Sequence, residues 1–175
     1  CSNVDTITIN TRKLNVGPDT ILCKGDTFTL GQNMLGNTAC SSGNASYSWS
    51  PSTGLDDSTA QYPLLTVLPN QIATDYIVTF NDSCGCVLYD TIKIGVNQIA
   101  FPNVTGTKIN CGVDDGQLVI SPQNGFAPYE FSIDTGNTYY PINVFDSLPI
   151  GYYGISVRDS MGCYSPIVYD TLLDP

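Results

Sequence analysis

Cysteine and aspartate are the residues of this chain whose chemistry is most distinctive. The 175 residues include no histidine, and no two cysteines have the CxxC spacing. Zinc sites that need histidine are therefore excluded, and a four-cysteine site lacks its spacing. Seven cysteines are many for a cytosolic protein, so we expect disulfides formed in an oxidising, extracytoplasmic compartment. The seven are Cys1, Cys23, Cys40, Cys84, Cys86, Cys111 and Cys163.

The acidic residues offer little catalytic chemistry. The pairs Asp56–Asp57 and Asp114–Asp115 are candidates for weak calcium binding, but without EF-hand spacing solvated turns are the default. The "DTG" at Asp134 matches half of an aspartic protease motif, has no second copy, and predicts a hairpin turn. Without histidine the usual base of a nucleophilic site is missing. We therefore predict no catalytic residue, no metal site and no cofactor, and expect that the protein is not an enzyme.

An internal repeat determines where these residues lie. The stretches "YSWSPSTGL…DYIVTFNDSCGCVLYDTIKI" and "YEFSIDTGNTYY…GYYGISVRDSMGCYSPIVYDTLL" share an aromatic strand, a glycine turn, and an alternating strand. Each then has Asp-Ser-x-Gly-Cys and a closing strand with Tyr-Asp-Thr. Trp49 and Phe131 align, and both are predicted core anchors. The steps from Cys1 to Cys86 and from Cys86 to Cys163 are 85 and 77 residues, which suits immunoglobulin-like sandwich modules.

The predicted fold class is all-β, with two tandem immunoglobulin-like β-sandwich modules preceded by an orphan strand. Short runs of strand-forming residues lie between turn residues, and no stretch has convincing helical spacing. We expect a closing strand at 1–12, one sandwich at 13–98 and another at 99–175. The predicted strands lie near 21–22, 27–31, 46–50, 64–68, 75–80, 88–96, 108–111, 117–121, 129–133, 140–145, 152–158 and 167–173.

The repeat also suggests how the cysteines pair. In the second module Cys111 precedes the inner strands and Cys163 follows the last long one, and their pairing would add about 3–4 kcal/mol of stability. The matching pair in the first module is Cys23–Cys86, which leaves Cys40–Cys84. Swapped partners, Cys23–Cys84 and Cys40–Cys86, remain open because the sequence does not choose among connectivities.

Charge and hydropathy exclude several partners. Sixteen acidic residues against six basic ones give a net charge of −10, which would repel a nucleic acid backbone or an anionic membrane. No apolar run approaches the roughly 20 residues that span a bilayer. We therefore expect no nucleic acid partner and no membrane span.

Several motifs of the chain resemble those of known repeat families. "GPDTILCKGDTFTL", "WSPSTGL" and "DYIVTFNDSCGC" look like PKD-like, immunoglobulin-fold repeats of Bacteroidota surface proteins, and "APYEFS" with "LPIGYYGISVRDSMGC" is similar to the SprB-type repeat of gliding adhesins. The resemblance implies an extracellular or cell-surface segment of a fibre or adhesin, with neighbouring copies as partners and surface glycans as further ones. The alternative is a carbohydrate- or protein-binding accessory module of a secreted protein.

The resemblance also implies O-glycosylation, because Bacteroidota modify Asp-Ser and Asp-Thr followed by a small or aliphatic residue. Asp-Thr is also common turn and strand-edge chemistry. The matching hydroxyl residues are Thr6, Thr20, Ser58, Thr91, Ser147, Ser160 and Thr171.

The first residues, "CSNVDTITI", share a sequence motif with the two closing strands, "CVLYDTIKI" and "CYSPIVYDTLL". We therefore expect that residues 1–10 complete the sheet of a preceding module, within one polypeptide or by strand donation between subunits. On this interpretation Cys1 is unpaired or joined to another module. A rival interpretation makes Cys1 a lipidated N-terminus.

Overall fold

The described part of the chain consists of strands joined by turns and bends, and no helix occurs in it. The chain divides into two compact units, Cys1–Gly95 and Val96–Pro175, three residues before the boundary expected from the sequence. The computed structural model describes residues 13–32, 34, 45–82, 85–107, 109–110 and 113–173. The predicted N-terminal strand, residues 1–12, lies outside these ranges.

The first unit has a four-stranded and a two-stranded sheet. Its strands are β1 (Thr20–Cys23), β2 (Thr27–Thr29), β3 (Ser46–Ser50), β4 (Leu64–Thr66), β5 (Thr74–Asn81) and β6 (Val87–Asn97), the last of which crosses the division between the units. The larger sheet has the order β1-β6-β5-β3, and β2 pairs with β4. All six strands overlap the ranges predicted from the sequence, and the described pairings β5–β6, β3–β5 and β2–β4 are antiparallel.

Alternation along β5 builds the core of this unit. Tyr76, Val78 and Phe80 are buried, whereas Asp75 and Ile77 on either side of Tyr76 are exposed, so β5 turns one face to the interior. The same core takes in Trp49 from β3 and Leu65 from β4. Because both sheets contribute side chains, the unit is a β-sandwich.

The second unit has two three-stranded sheets. Its strands are β7 (Asn103–Gly106), β8 (Gly116–Ser121), β9 (Glu130–Ser132), β10 (Val144–Leu148), β11 (Gly151–Arg158) and β12 (Val168–Leu172). The sheet orders are β10-β8-β7 and β12-β11-β9. Leu118 and Ile120 of β8 share a core with Phe131 of β9 and with Ile155 and Val157 of β11. This unit is therefore also a two-sheet sandwich with a core of its own.

Two details differ from the expectations. The first strand of the second unit, β7, lies before the predicted range 108–111, of which residues 108 and 111 are outside the described part. The burial of Trp49 and Phe131 is confirmed, but their equivalence is wrong. Phe131 lies opposite Val157, two residues before Asp159, and the residue opposite the matching Phe80 is Tyr47. The sequence alignment was shifted by two residues at this strand.

Candidate functional site

The Asp-Ser-x-Gly-Cys turn has the same hydrogen bonds in both units among the residues that the structure describes, which leave out Ser83 and Cys84. In the second, the amide of Asp159 donates to the Cys163 carbonyl (3.0 Å), and the Cys163 amide donates to Oδ1 of Asp159 (3.0 Å). In the first, the corresponding bonds between Asp82 and Cys86 are 3.0 and 2.8 Å. The glycine of each turn has φ of 82°, which favours glycine. The repeat read from the sequence is thus present in the backbone.

The aspartate of the second turn is buried, with 5% of its surface exposed. Its Oδ2 accepts from Asn97 Nδ2 (2.6 Å) and from the Phe126 amide (3.1 Å), and its Oδ1 also accepts from the Met161 amide (2.9 Å). Burial alone would raise the pKa of Asp159, but these hydrogen bonds outweigh it and hold the pKa below its ordinary value. The carboxylate therefore stays charged and organises the turn.

The cysteines depart from the expected pairing. Cys23 and Cys163 are in disulfides whose partners are outside the described residues, whereas Cys86 carries an exposed free thiol. The pairs Cys23–Cys86 and Cys40–Cys86 are therefore wrong for this structure. The physical reason is that the first turn offers a second thiol, Cys84, at the position where the second turn has methionine. Cys1, Cys40, Cys84 and Cys111 lie outside the described residues.

Thiol labelling should distinguish these cysteines. Iodoacetamide applied to the native, unreduced protein should modify Cys86, because its thiol is exposed and free. Cys23 and Cys163 should be modified only after reduction. Peptide mapping by mass spectrometry reads out both steps. A disulfide-linked peptide that contains Cys86, or labelling of Cys163 before reduction, would contradict the assignment.

The candidate glycosylation residues are spread over both units and do not form one site. Thr91 of β6 and Thr171 of β12 each follow Tyr-Asp in a closing strand, and both are exposed. Ser147 and Ser160 are also exposed, although the Ser160 hydroxyl donates to the Phe126 carbonyl (3.0 Å). Thr20 and Ser58 are half-buried. Thr6 lies outside the described residues.

The predicted acidic turns serve local structure. Oδ1 of Asp57 accepts from the amide and hydroxyl of Thr59, and these bonds lower the pKa of Asp57. Asn110 lowers the pKa of Asp115 through its amide and side chain in the same way. Within the described part of the chain, no three His, Cys, Asp or Glu side chains form a group that could hold a metal ion.

The "DTG" segment is a hairpin turn, as predicted. Oδ1 of Asp134 accepts from the Ser132 hydroxyl (2.6 Å) and from the amides of Asn137 (3.1 Å) and Thr138 (2.9 Å). The Ser132 hydroxyl is the largest cause that lowers the pKa of Asp134, followed by the Thr138 amide. Oδ1 of this carboxylate therefore stabilises the turn.

The outer side of the β12-β11-β9 sheet carries the most distinctive surface of the second unit, which we call the tyrosine face. Along β11 the inward residues Ile155 and Val157 alternate with outward ones, of which Tyr152 stacks on Tyr169 with ring centroids 5.1 Å apart. A Cβ at Gly154 would collide with Thr135 Cγ2, so the 134–139 turn packs closely on the middle of this face. The tyrosine face consists of Tyr139, Tyr152, Tyr164 and Tyr169.

At the Arg158 end of β11 the tyrosine face borders a cleft of about 510 Å³, which we call the Arg158 cleft. Nε of Arg158 donates to Oε2 of Glu130 (2.8 Å), and its Nη2 contacts the same oxygen. The guanidinium carbon lies 4.8 Å from the centre of the Tyr139 ring, and that ring is 5.8 Å from the ring of Tyr164. Glu130, followed by Tyr164, raises the pKa of Arg158. These groups form one fixed polar and aromatic cluster.

Comparison with known proteins identifies the architecture. The N-terminal eight Ig domains of Down Syndrome Cell Adhesion Molecule (DSCAM) have a TM-score of 0.54 and 9% identity, covering 93% of this chain and 27% of that one. An I-band fragment of titin has a TM-score of 0.47, 12% identity and coverages of 94% and 66%. A C-terminal fragment of intimin, in complex with the intimin-binding domain of its translocated receptor, has a TM-score of 0.47 and 15% identity, covering 95% of this chain and 64% of that one.

The fold is immunoglobulin-like. At 9% identity the likeness to DSCAM shows the fold alone. The chain spans less than two thirds of the length of each of these structures. No family model matches the sequence, and none of the curated proteins matches it. Among the described residues no helix is long and apolar enough to cross a membrane.

Sequence reasoning missed the Arg158 cleft of this immunoglobulin-like unit. Along β11, Tyr152 is exposed while the adjacent Tyr153 contacts the core. The same alternation places Arg158 on the side of Tyr152, which was the available signal. The approach of Glu130 and Tyr164 depends on the pairing of other segments with β11, and the sequence does not contain that information in local form.

Proposed function

We propose that this chain is a structural, non-enzymatic segment of an extracellular fibre or surface adhesin. The observation that carries the proposal is that two units, each with its own core, are built on the same turn, with matching hydrogen bonds and glycine conformations. Repetition of a self-contained unit is the organisation of tandem arrays, in which neighbouring modules are the main partners. Disulfides at Cys23 and Cys163 suit the oxidising conditions outside the cytoplasm.

The finer assignment follows the sequence motifs. We assign the first unit to the PKD-like repeats and the second to the SprB-type repeats of Bacteroidota surface proteins. O-glycosylation is part of the proposal, and Thr91 and Thr171 are its best-placed sites, because both residues are exposed and each lies in the Tyr-Asp-Thr motif of a closing strand. Sugars there would shield the strands from pairing with other chains.

The proposed disulfides are Cys111–Cys163 and Cys23–Cys84. The first is the pairing that the repeat predicts. The second is one of the two swapped pairs, and it is proposed without the other, Cys40–Cys86, because the thiol of Cys86 is free. The two bonds would close loops of about 50 and 60 residues, each worth roughly 3–4 kcal/mol of unfolding free energy.

The N-terminal strand is proposed to link this segment to what precedes it. In the described units the closing strand is supplied from within: β6 pairs with β5 along eight residues, and β12 pairs with β11 along five. The N-terminal segment with the same sequence motif therefore has no place as the closing strand of either unit. We propose that it completes a further module, earlier in a longer polypeptide or in a neighbouring subunit.

The test is immunogold electron microscopy of intact cells that produce the protein, using antibodies raised against this chain. We expect labelled filaments on the cell surface. Deletion of residues 1–12 should remove the labelled filaments, while the purified truncated chain keeps the urea midpoint of the first unit, followed by fluorescence of Trp49, the one tryptophan of the sequence.

A matched variant distinguishes the effect of losing the N-terminal strand from the effect of losing a glycosylation site on it. Thr6→Ala keeps the strand pattern but removes a candidate glycosylation hydroxyl, so filaments should remain. Label that becomes accessible only after permeabilisation would overturn the surface assignment. A lower midpoint in the truncated chain would show instead that the strand belongs to the first unit.

A further inference from the structure

The Arg158 cleft has the size and lining of a ligand site. Its volume of about 510 Å³ lies in the range of small-molecule sites, roughly 300–1,000 Å³. Its apolar walls come from two prolines and two tyrosines, and its polar groups include an ion pair at the end of β11. The lining residues that matter are Pro128, Pro141, Tyr129, Tyr164, Arg158 and Glu130.

The aromatic surface of the cleft is exposed yet held in place. Tyr164 is 58% exposed, and its ring packs beside Tyr139. Tyr139 is itself fixed, because its hydroxyl bonds to Ser156 Oγ (3.1 Å) and its ring carries the Arg158 guanidinium. A rigid tyrosine offers contact area at low entropic cost. The face of such a ring is negative and attracts the weakly positive C–H groups of a sugar ring.

The ion pair supplies hydrogen-bonding capacity of both kinds. Both contacts of Arg158 use Oε2 of Glu130, so the carboxylate retains acceptor capacity on Oε1, and the guanidinium has further N–H donors. A planar donor group beside a planar acceptor group matches neighbouring hydroxyls, which both donate and accept. Side-chain exposures of 35% and 42% leave both groups within reach of a ligand.

Charge favours a neutral ligand. The guanidinium in the cleft is already paired with a carboxylate, and both oxygens of the buried Asp159 already accept hydrogen bonds from Asn97, Phe126 and Cys163. The chain as a whole carries a net charge of −10. An acidic polymer would therefore meet repulsion without an unpaired cation to offset it.

An extended peptide is the less suitable occupant. The edge of β9 that faces away from β11 is already paired, since the amide of Phe131 donates to the Tyr140 carbonyl (2.8 Å) and the Tyr140 amide donates back (2.9 Å). A peptide could not add there as a further strand, so it would lack the main-chain hydrogen bonds that give such complexes their affinity.

From these contacts we propose that the Arg158 cleft binds a neutral hexose unit of a polysaccharide. The sugar ring packs on Tyr164, and two neighbouring hydroxyls bond to Arg158 and Glu130. The site lies within the second unit and does not depend on filament assembly, so it stands or falls separately from the proposed function.

Titration calorimetry of the full chain with cellotetraose, laminaritetraose, galactotetraose and mannotetraose tests the site. We expect at least one to bind with a dissociation constant of roughly 1 mM or below. Tyr164→Ala and Arg158→Gln should each weaken that binding roughly tenfold, and Arg158→Lys should not restore it, because lysine lacks the planar set of donors.

Tyr152→Ala is the matched control. It removes an exposed tyrosine of the same face, about 20 Å along β11 from Arg158, and should leave tetrasaccharide affinity unchanged. Amide NMR spectra confirm that each variant keeps the second unit folded. The proposal is overturned if no tetrasaccharide binds, or if Tyr164→Ala and Arg158→Gln bind like the parent. Preferential binding of polygalacturonate, or of a decaproline peptide at the same residues, would overturn it as well.

Discussion

Replacing Asp159 with asparagine should lower the unfolding free energy of the second unit by about 2–4 kcal/mol at neutral pH. Each carboxylate oxygen accepts two hydrogen bonds: Oδ1 from the amides of Met161 and Cys163, and Oδ2 from Asn97 and the Phe126 amide. Asparagine has a single oxygen, so its NH₂ group would face two donors. The expected loss of unfolding free energy therefore comes from losing charge-assisted hydrogen bonds at a buried position.

The pH dependence follows from the lowered pKa of Asp159. Stability supplied by the ionised carboxylate is complete above the unfolded-state pKa, about 3.9, and is lost as pH falls through the lower folded-state pKa. The parent second unit should therefore weaken in acid below about pH 4, and Asp159→Asn should show a flatter acid limb.

Hydrogen exchange read by mass spectrometry at Leu118, Ile120 and Ile155, which are fully buried, measures the second unit separately. Asp75→Asn is the control, because it makes the same charge change at an exposed position of β5 in the first unit. Trp49 fluorescence should be unaffected in Asp159→Asn. Unchanged exchange at Ile155 would contradict the role assigned to Asp159.

Loss of the Tyr76 ring should have the largest effect in the first unit. Tyr76 is completely buried, and its hydroxyl donates to the Thr53 carbonyl (2.6 Å) and accepts from Gln71 Nε2 (2.9 Å). Tyr76→Ala should cost about 3–5 kcal/mol through the cavity that it leaves. Tyr76→Phe should cost about 1–3 kcal/mol, because the Thr53 carbonyl and the Gln71 amide lose their partner.

Urea unfolding followed by Trp49 fluorescence measures both variants. Burial raises the pKa of Tyr76. The stability that the neutral hydroxyl gives the first unit is therefore complete below the unfolded-state pKa, near 10, and is lost as pH rises through the folded-state pKa. Tyr76→Phe should remove this alkaline weakening. Tyr153 lies at the matching place in the second unit, six residues before the turn aspartate, and its hydroxyl donates to the Pro149 carbonyl (2.8 Å). Tyr153→Phe should leave the urea midpoint of the Trp49 fluorescence transition unchanged. A shifted midpoint would refute the assignment of that transition to the first unit.

Much of the fold could be predicted from local pattern. The alternation of Tyr76, Val78 and Phe80 marks β5, because a strand with one buried face must alternate. The repeated Asp-Ser-x-Gly-Cys predicts the shared turn, since its hydrogen bonds join residues four apart in the chain. These features depend on neighbours in sequence, and the sequence therefore contains them.

The errors concern relations between distant segments. The equivalence of Trp49 and Phe131 failed because an alignment of aromatic residues ignores strand register, which is set by pairing with β5 and β11. The pairing of Cys23 with Cys86 failed because the repeat does not say which of two neighbouring cysteines bonds. The Arg158 cleft needs three segments to meet: β9 with Glu130, β11 with Arg158, and the residues after the turn with Tyr164.

The repeated turn also has an evolutionary consequence. A carboxylate and a glycine set its backbone, and it closes with the same hydrogen bonds around the free thiol of Cys86 and around the oxidised sulfur of Cys163. Cysteines at this turn can therefore be gained or lost from one copy to the next without a change in architecture. The number of covalent cross-links can therefore differ between units while the backbone of the turn stays the same.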